Sequence, residues 1–277
     1  MRLSVILSTY NQPEWLEKAL IGYAHQTWRD FEVVIADDGS TDETRERIDK
    51  VRAETGLQLQ HVWHEDDGFR KTIILNKATL AAEGDYLVFS DGDCIPRRDF
   101  LAVHAERAEP GHFLSGGYFK LPLDVSEEIT AENIADGDHA DPAWLKARGV
   151  RSRMLKLSAR GVMARFLDVV TPTKATWNGH NASGWKADLL EVNGFDERMV
   201  YGGEDRELGE RLMNAGRRAK QIRHHAVCVH LDHGRPWRTN EAMAGNAAIR
   251  EVTRKERRTW TEFGIERREQ AVGAEAS

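Results

Sequence analysis

The chain has 277 residues, enough for one large α/β domain with or without an appendage, and enough to bury a core without cross-links. Its formal net charge of -6 argues against general nucleic-acid binding. Its two cysteines, Cys94 and Cys228, are far apart in sequence and fit no Cys-x-x-Cys pattern, so neither a disulfide framework nor a zinc cluster is suggested and the pair reads as two reduced thiols.

In chain order, Arg2 to Leu7 is a short β-branched run that predicts a buried strand, ending at the polar turn Ser8-Thr9-Tyr10-Asn11. Its apolar part is too short for a signal peptide, and no run reaches the ~20 apolar residues of a membrane span, so a soluble or peripheral, cytoplasmic protein is expected. Pro13 opens a helix through Leu20. Phe31 to Ala36 is a second strand and ends at Asp37-Asp38-Gly39-Ser40-Thr41-Asp42. Ser40 with Glu43 predicts a capping box for a helix running to about Glu54. Leu57 to Trp63 alternates as a third strand, Lys71 to Ala82 has helical spacing, and Asp85 to Ser90 is a strand ending at Asp91-Gly92-Asp93.

That alternation predicts an α/β fold, a Rossmann-like and mostly parallel central sheet with helices on both faces. Ligands bind such sheets at the carboxyl edge of the strands. The clusters 8–11, 37–42 and 91–93 each follow a strand, so all three are expected there. Glu127 to Arg160 reads as a helical or loop insertion. Thr173 to Trp185 is rich in Trp, Asn, Gly and His; Lys186 to Val192 reads as a short helix, Glu204 to Ala215 as an amphipathic one, and Ala226 to Val229 as a last strand. From Thr239 onward the chain is helical and charged, with disorder expected at its end, which divides it into a domain at 1–238 and a tail at 239–277.

Asp91 and Asp93 are two carboxylates two residues apart at a tight turn, able to face one cation, with Gly92 giving the backbone room. Oxygen ligation suits Mg²⁺ or Mn²⁺, and the same residues would equally make an ordinary polar turn. Asp38 could accept from a base N–H or ribose hydroxyls, while Ser40 beside it reads as a cap. Gly202 and Gly203 let the chain turn closely past a ligand, and Glu204 and Asp205 then open a helix at its positive end, where acids are also common without chemistry. Among the late histidines, His230 or His233 could complete a metal site; the other reading is solvated or core imidazole. Trp177, His180 and Trp185 flank Asn178 to Ser183, including Asn181; aromatic faces beside amides suit a sugar ring, and such tryptophans are as often core. No Gly-x-Gly-x-x-Gly follows the first strand and no Gly-x-x-x-x-Gly-Lys-Ser/Thr occurs, which argues against a dinucleotide dehydrogenase and a P-loop enzyme.

Taken in order, Ser8 to Asn11, Asp37 to Asp42, Asp91-Gly92-Asp93 and Gly202-Gly203-Glu204-Asp205 with a downstream His resemble family 2 glycosyltransferases of the GT-A fold. Asp66-Asp67-Gly68-Phe69-Arg70, Asn76-Lys77-Ala78 and the late Gly-Gly-Glu-Asp are most similar to the branch of bacterial chondroitin-polymerase-type domains, and to the C-terminal motif of animal β-1,4-galactosyltransferases. The resemblance spans about Leu3 to His233 and leaves out the insertion and the tail. It implies a nucleotide-sugar half at about 1–100 and an acceptor half at 101–238. It further implies that Thr9, Asn11, Asp38 and Asp91 face the nucleotide, with Arg70 and Lys77 near the pyrophosphate. Asp93 would be the main metal ligand, with Asp91 beside it and His230 as distal ligand, His233 remaining open. Asp205 would be the general base, with Glu204 beside it and Gly203, Trp177, Asn181 and Trp185 toward the sugar or acceptor.

The implied reaction is inverting transfer from a nucleotide-sugar, usually a UDP-sugar, to a hydroxyl of a glycan or lipid-linked acceptor, with Mn²⁺ or Mg²⁺. Two other classes share features. A sugar-nucleotide nucleotidyltransferase would favour a Gly-rich basic loop after the first strand, where Ser8-Thr9-Tyr10-Asn11 is neither. A non-catalytic carbohydrate-binding module would need no base. The basic stretch Arg250 to Arg268 reads as a solvated helix or as a contact with an anionic membrane surface.

Overall fold

The structure is a computed structural model and describes residues 1–152, 154–234 and 240–266. Its centre is β1 (Leu3–Thr9), buried along its whole length. It is paired in parallel with β2 (Phe31–Asp37) on one side and β4 (Tyr86–Asp91) on the other. A strand covered on both faces has no solvated side, which is why it reads as an unbroken apolar run. Parallel β3 (Leu59–Trp63) extends the sheet beyond β2.

Side-chain alternation splits β1 between two cores. Val5 and Leu7 pack with Leu16 and Leu20 of α1 (Pro13–Ala24) and Ile48 of α2 (Asp42–Thr55). Ile6 points the other way, to Ile74 of α3 (Lys71–Ala81) and to Phe89. The expected capping box at α2 does not form. Thr41 is the N-cap without a side-chain bond, and Ser40 Oγ instead accepts from the Asn11 N–H at 2.8 Å, clipping two loops together.

Past β4 the sheet changes character. The second half adds β5 (Cys94–Pro96), β6 (His112–Ser115), β7 (Gly117–Lys120), β8 (Ala182–Trp185), β9 (Arg218–Gln221) and β10 (Val227–His230). The main sheet has 7 strands in the order β3-β2-β1-β4-β8-β6-β9, and β8 runs antiparallel to both its neighbours. A 3-stranded sheet, β5-β10-β7, stands beside it. Cys94 and Cys228, distant in sequence, lie on its adjacent strands β5 and β10 as buried free thiols.

Helix α4 (Phe100–Arg107) packs under the main sheet. The insertion is helical: α5 (Leu123–Glu128), α6 (Ala131–Asp136), α7 (Pro142–Ala147) and α8 (Leu155–Ser158). Its Ile129, Ile134, Leu145 and Leu157 cover Val227 and Val229 of the small sheet. Then follow α9 (Gly161–Val170), α10 (Lys186–Glu191), α11 (Glu204–Asn214) and α12 (Asn240–Lys255).

The described part of the C-terminal segment is packed on the domain rather than standing apart. Thr253 Oγ1 of α12 donates to the buried Glu207 at 2.8 Å, and Asn193 Nδ2 donates to the Thr261 carbonyl at 2.8 Å. The disorder expected at the chain's end lies outside the described residues. Among the described residues no helix is long and apolar enough to cross a membrane.

Candidate active site

Strand order reverses at β1 and β4, because β2 and β3 lie on one side of β1 and everything after β4 on the other. A crevice opens at such a switch point, at the carboxyl ends of the strands. Here the two strand ends are tied to each other: Ser8 Oγ donates to Asp91 Oδ1 at 2.7 Å, and the Gly92 N–H to the Ser8 carbonyl at 2.7 Å. The crevice is a pocket of about 540 Å³. Thr9, Asn11, Asp38, Asp91, Asp93, Gly203, Glu204, Asp205, His230 and His233 all line it. The clusters expected at the sheet edge therefore meet, joined by the Gly202-Gly203-Glu204-Asp205 turn.

On the β2 side, Asp38 accepts from His64 Nε2 at 2.8 Å and from the Arg70 N–H at 3.0 Å. Burial raises its pKa against these bonds. Asn11 sits in the left-handed region, with φ 46, and its amide oxygen accepts from the Thr41 N–H at 3.0 Å.

At the centre, Lys71 Nζ donates to Asp91 Oδ1 at 2.7 Å. Burial works against this ammonium, yet the Asp91, Asp205 and Glu204 carboxylates outweigh it and raise its pKa. Burial likewise opposes the Asp91 carboxylate, but Lys71 and the Ser8 hydroxyl hold it well below the usual carboxylate range.

Asp205 differs from Asp91. Burial first, and then the neighbouring Glu204 charge, push it up to about 7. Its Oδ1 is buried with no hydrogen-bond partner among the described residues. Glu204 Oε2 accepts from the Gly202 N–H at 2.8 Å, so that carboxylate holds its own turn. Gly202 and Gly203 both have positive φ, 104 and 100, which a side chain would strain. Gly179 lies so close under Asp205 that a Cβ there would stand 2.7 Å from Oδ2.

Asp93, His230 and His233 form the third group. Asp93 Oδ2 lies 2.6 Å from His233 Nε2 and 3.5 Å from His230 Nε2, and the imidazoles stack with ring centres 5.6 Å apart. One donor atom from each residue falls within 4.8 Å of the other two. One carboxylate and two imidazoles at this spacing are a donor set that fits a divalent transition metal. Both histidines that the sequence left as alternatives belong to it.

Two family models match the chain: "Glycosyl transferase family 2" over residues 4–137, and "N-terminal domain of galactosyltransferase" over residues 170–234. The chain belongs to glycosyltransferase family 2. Between them the two matches contain every pocket-lining motif described above. The validoxylamine A glucosyltransferase of Streptomyces hygroscopicus subsp. jinggangensis is 34% identical over 224 residues, 76% of this chain, and the chain spans about half that relative's length, 51%. Among solved structures, the mannosyltransferase PcManGT from Pyrobaculum calidifontis in complex with GDP-Man and Mn²⁺ has a TM-score of 0.57 at 22% identity, covering 85% of this chain and 58% of that one. S. aureus TarS 1-349 in complex with UDP-GlcNAc has a TM-score of 0.57 at 21% identity, covering 86% and 60%. These two likenesses show the fold, the GT-A architecture expected from the sequence.

Several residues that the sequence assigned to this glycosyltransferase site lie elsewhere. Trp177 is fully buried, with its ring centre 5.3 Å from Phe89 and 5.7 Å from Phe113, so no face is open to a sugar. Asn181 is also buried; its Nδ2 donates to the Gly117 and Ala226 carbonyls at 2.8 and 3.1 Å, clipping the two sheets together. Trp185 packs on Tyr86 at 5.1 Å and donates to the Glu109 carbonyl, away from the pocket. Each follows from position: β8 is an interior strand of the sheet, and its residues and flanks fill the core. Arg70 turns its guanidinium to Asp67, and Lys77 Nζ meets His64 Nδ1 at 3.3 Å, behind Asp38. Neither side chain lines the pocket, and the lysine that does is Lys71.

Sequence reasoning also passed over Tyr118, whose ring stands edge-on to His180 at 4.6 Å, and the pair Phe69 and Tyr201 at 5.8 Å. All of them line the pocket. Burial lowers the His180 pKa to about 4, so it is neutral at pH 7. The signal for Lys71 was its place at the first turn of a helix that follows Gly68, facing the strand ends. Tyr118 had none, because β7 has only 4 residues.

Proposed function

We propose that this domain transfers a sugar from a nucleotide-sugar, a UDP-sugar being the expected donor, to a hydroxyl of a glycan or lipid-linked acceptor, with inversion at the anomeric carbon. The observation that carries this reading is Asp205, a half-buried carboxylate raised to about 7, in one pocket with the Asp93, His230 and His233 donor set.

Asp38 and Thr9 lie at the β1 and β2 ends, where a nucleoside would be held by hydrogen bonds from its base or ribose to the Asp38 carboxylate. Lys71, kept charged by Asp91, would meet the diphosphate. A carboxylate ionising near pH 7 suits a general base, since it is ionised in use and still takes a proton readily. The Asp205 carboxylate would take the proton of the acceptor hydroxyl as the hydroxyl oxygen bonds to the anomeric carbon. Bond formation and nucleotide departure occur on opposite faces, through an oxocarbenium-like transition state. No protein nucleophile is required. Asp93, His230 and His233 would hold the divalent metal, which when bound neutralises charge on the departing diphosphate. Two imidazoles favour a transition-metal ion such as Mn²⁺ over Mg²⁺, which is held through oxygen. Phe69, Tyr118 and Tyr201 offer aromatic faces to the base or the sugar rings.

The test is a panel of nucleotide-sugars incubated with Mn²⁺ and candidate acceptors, reading free nucleotide. Release from one donor class, stopped by chelator and by Asp205→Asn, is expected. Pyrophosphate release from a nucleoside triphosphate would favour the nucleotidyltransferase reading instead. Glycan binding without nucleotide or metal dependence would leave only a binding module.

A further inference from the structure

Helix α9 is turned inside out. At about 100° per residue, Val162, Met163, Phe166, Val169 and Val170 share one face, an arc of about 120°. In a domain helix that arc points to the core. Here it points to solvent: Val162 is 86% exposed, Val169 79%, Phe166 63% and Met163 58%. The opposite face, with Ala164 and Asp168, is the one against the protein. Asp168 anchors it, Oδ1 accepting from the His224 N–H and Nδ1 at 2.8 Å, and Oδ2 from His225 Nδ1 at 2.6 Å.

The surroundings are basic. Residues 146–174 contain eight Lys and Arg and one acid, and that acid is the sequestered Asp168. Arg151, Arg165 and Lys174 are exposed, and none has an ion pair among the described residues. Arg165 flanks the apolar arc directly. On α12, whose basic stretch the sequence left open between a solvated helix and a membrane contact, Arg250 pairs with Glu210 at 2.5 Å and Lys255 with Glu251 at 2.7 Å, as near α9 Arg148 pairs with Glu128 and Arg160 with Asp99.

We propose that α9 is a docking surface for an anionic lipid bilayer, its apolar arc inserted at the level of the headgroups and its basic flank on lipid phosphates. An amphipathic helix with Phe and aliphatic residues on one face and Arg and Lys beside them binds such surfaces by combining both terms. Charge complementarity selects this occupant. An isologous contact between two copies would set the same basic flanks against each other. The arc is also convex, so it needs no shaped cavity in a partner, and a fluid surface accommodates it. Vesicle binding reads this separately from transfer, so it stands or falls apart from the proposed reaction.

The test is sedimentation of the 277-residue chain with phosphatidylcholine vesicles, with and without phosphatidylglycerol. Binding is expected with the anionic vesicles, and weakening in about 0.5 M NaCl as the charges are screened. Phe166→Asp and Val169→Asp should each lower the bound-to-free ratio at least about tenfold, while unfolding transitions and nucleotide binding stay as in the parent; Lys255→Glu should leave vesicle binding unchanged. Failure to sediment with anionic vesicles overturns the proposal. So does binding that survives both Asp substitutions, binding lost through Lys255→Glu, or a concentration-dependent dimer that Phe166→Asp dissociates, which would make a second copy the occupant.

Discussion

Lys71 Nζ and Asp91 Oδ1 are 2.7 Å apart, so the first carboxylate of the Asp-x-Asp turn is engaged by a lysine rather than facing a cation alone. The turn thus divides between two tasks: Asp91 is held by Lys71 and Ser8, and Asp93 faces the imidazoles. Lys71→Met would leave Asp91 without its cation. The pair is about one-fifth exposed, with side-chain accessibilities of 20% and 24%, so the cost lies between that of a surface pair and that of a fully buried one, about 2 kcal/mol. Urea denaturation should show this loss. Calorimetric titration with UDP should show affinity lowered at least about tenfold, because the cation nearest the strand ends is gone; unchanged affinity would remove Lys71 from the diphosphate site.

The pH dependence follows from Asp205. The base must be ionised, and its pKa is raised to about 7. Its active form is therefore full above that value and is lost as pH falls through it, giving kcat/KM an acid limb near pH 7. Glu204→Gln removes a neighbouring negative charge and should move that limb to lower pH. Asp205→Asn should reduce transfer by ~10²–10⁴-fold and keep nucleotide affinity. A limb at the same pH in Glu204→Gln would show that another group titrates.

How much of this was legible depended on element length. Strands β1, β2 and β4 have 6 or 7 residues each, nearly all buried, and their apolar runs announced the sheet and its carboxyl edge. Asp38, Asp91, Asp93 and Asp205 were found because they follow such runs or open a periodic helix. Strands β5 to β9 have only 3 or 4 residues, too few for a period to emerge, while β10, equally short, showed only as the apolar run Ala226 to Val229. Without β8, nothing in the sequence told that Trp177 and Asn181 flank an interior strand, and composition alone made them resemble a sugar platform. Lys77 and Lys71 lie 6 positions apart on one helix, yet only the N-terminal end of that helix reaches the strand ends. Sequence chose the lysine in the motif, and geometry the one at the helix start.

The donor set makes a separable claim about metal. If Asp93, His230 and His233 hold the ion, Mn²⁺ should restore chelator-treated protein at lower concentration than Mg²⁺ does. His230→Ala and His233→Ala should each raise the Mn²⁺ concentration for half-maximal activity at least about tenfold. Metal titration followed by nucleotide-release assay measures both. If one histidine can be removed without effect, the site is built on the other with Asp93.

Asn246 carries the last prediction, because it holds the base's turn without touching the pocket. Its Nδ2 donates to the carbonyls of Val200 and Gly202 at 2.8 and 3.0 Å, and its Oδ1 accepts from the Val200 N–H at 3.3 Å. It lies on α12, outside both family matches. The Gly202-Gly203 turn that precedes Asp205 has two residues in the left-handed region, and besides Asn246 it is held by the Glu204 carboxylate on the Gly202 N–H. Asn246→Ala would leave two carbonyls without their donor, costing about 1–3 kcal/mol of stability. It should also loosen the placement of Asp205, where a displacement of about 1 Å costs on the order of 10²-fold in rate. The expected outcome is a lower kcat with little change in the KM for the nucleotide-sugar, since Asp38 and Lys71 lie on elements that Asn246 does not hold. Asn246→Asp keeps the acceptor but not the donor, and should resemble Asn246→Ala. Steady-state kinetics on the two variants decides the matter: a rise in KM at constant kcat would place the effect of α12 on donor binding and not on the base.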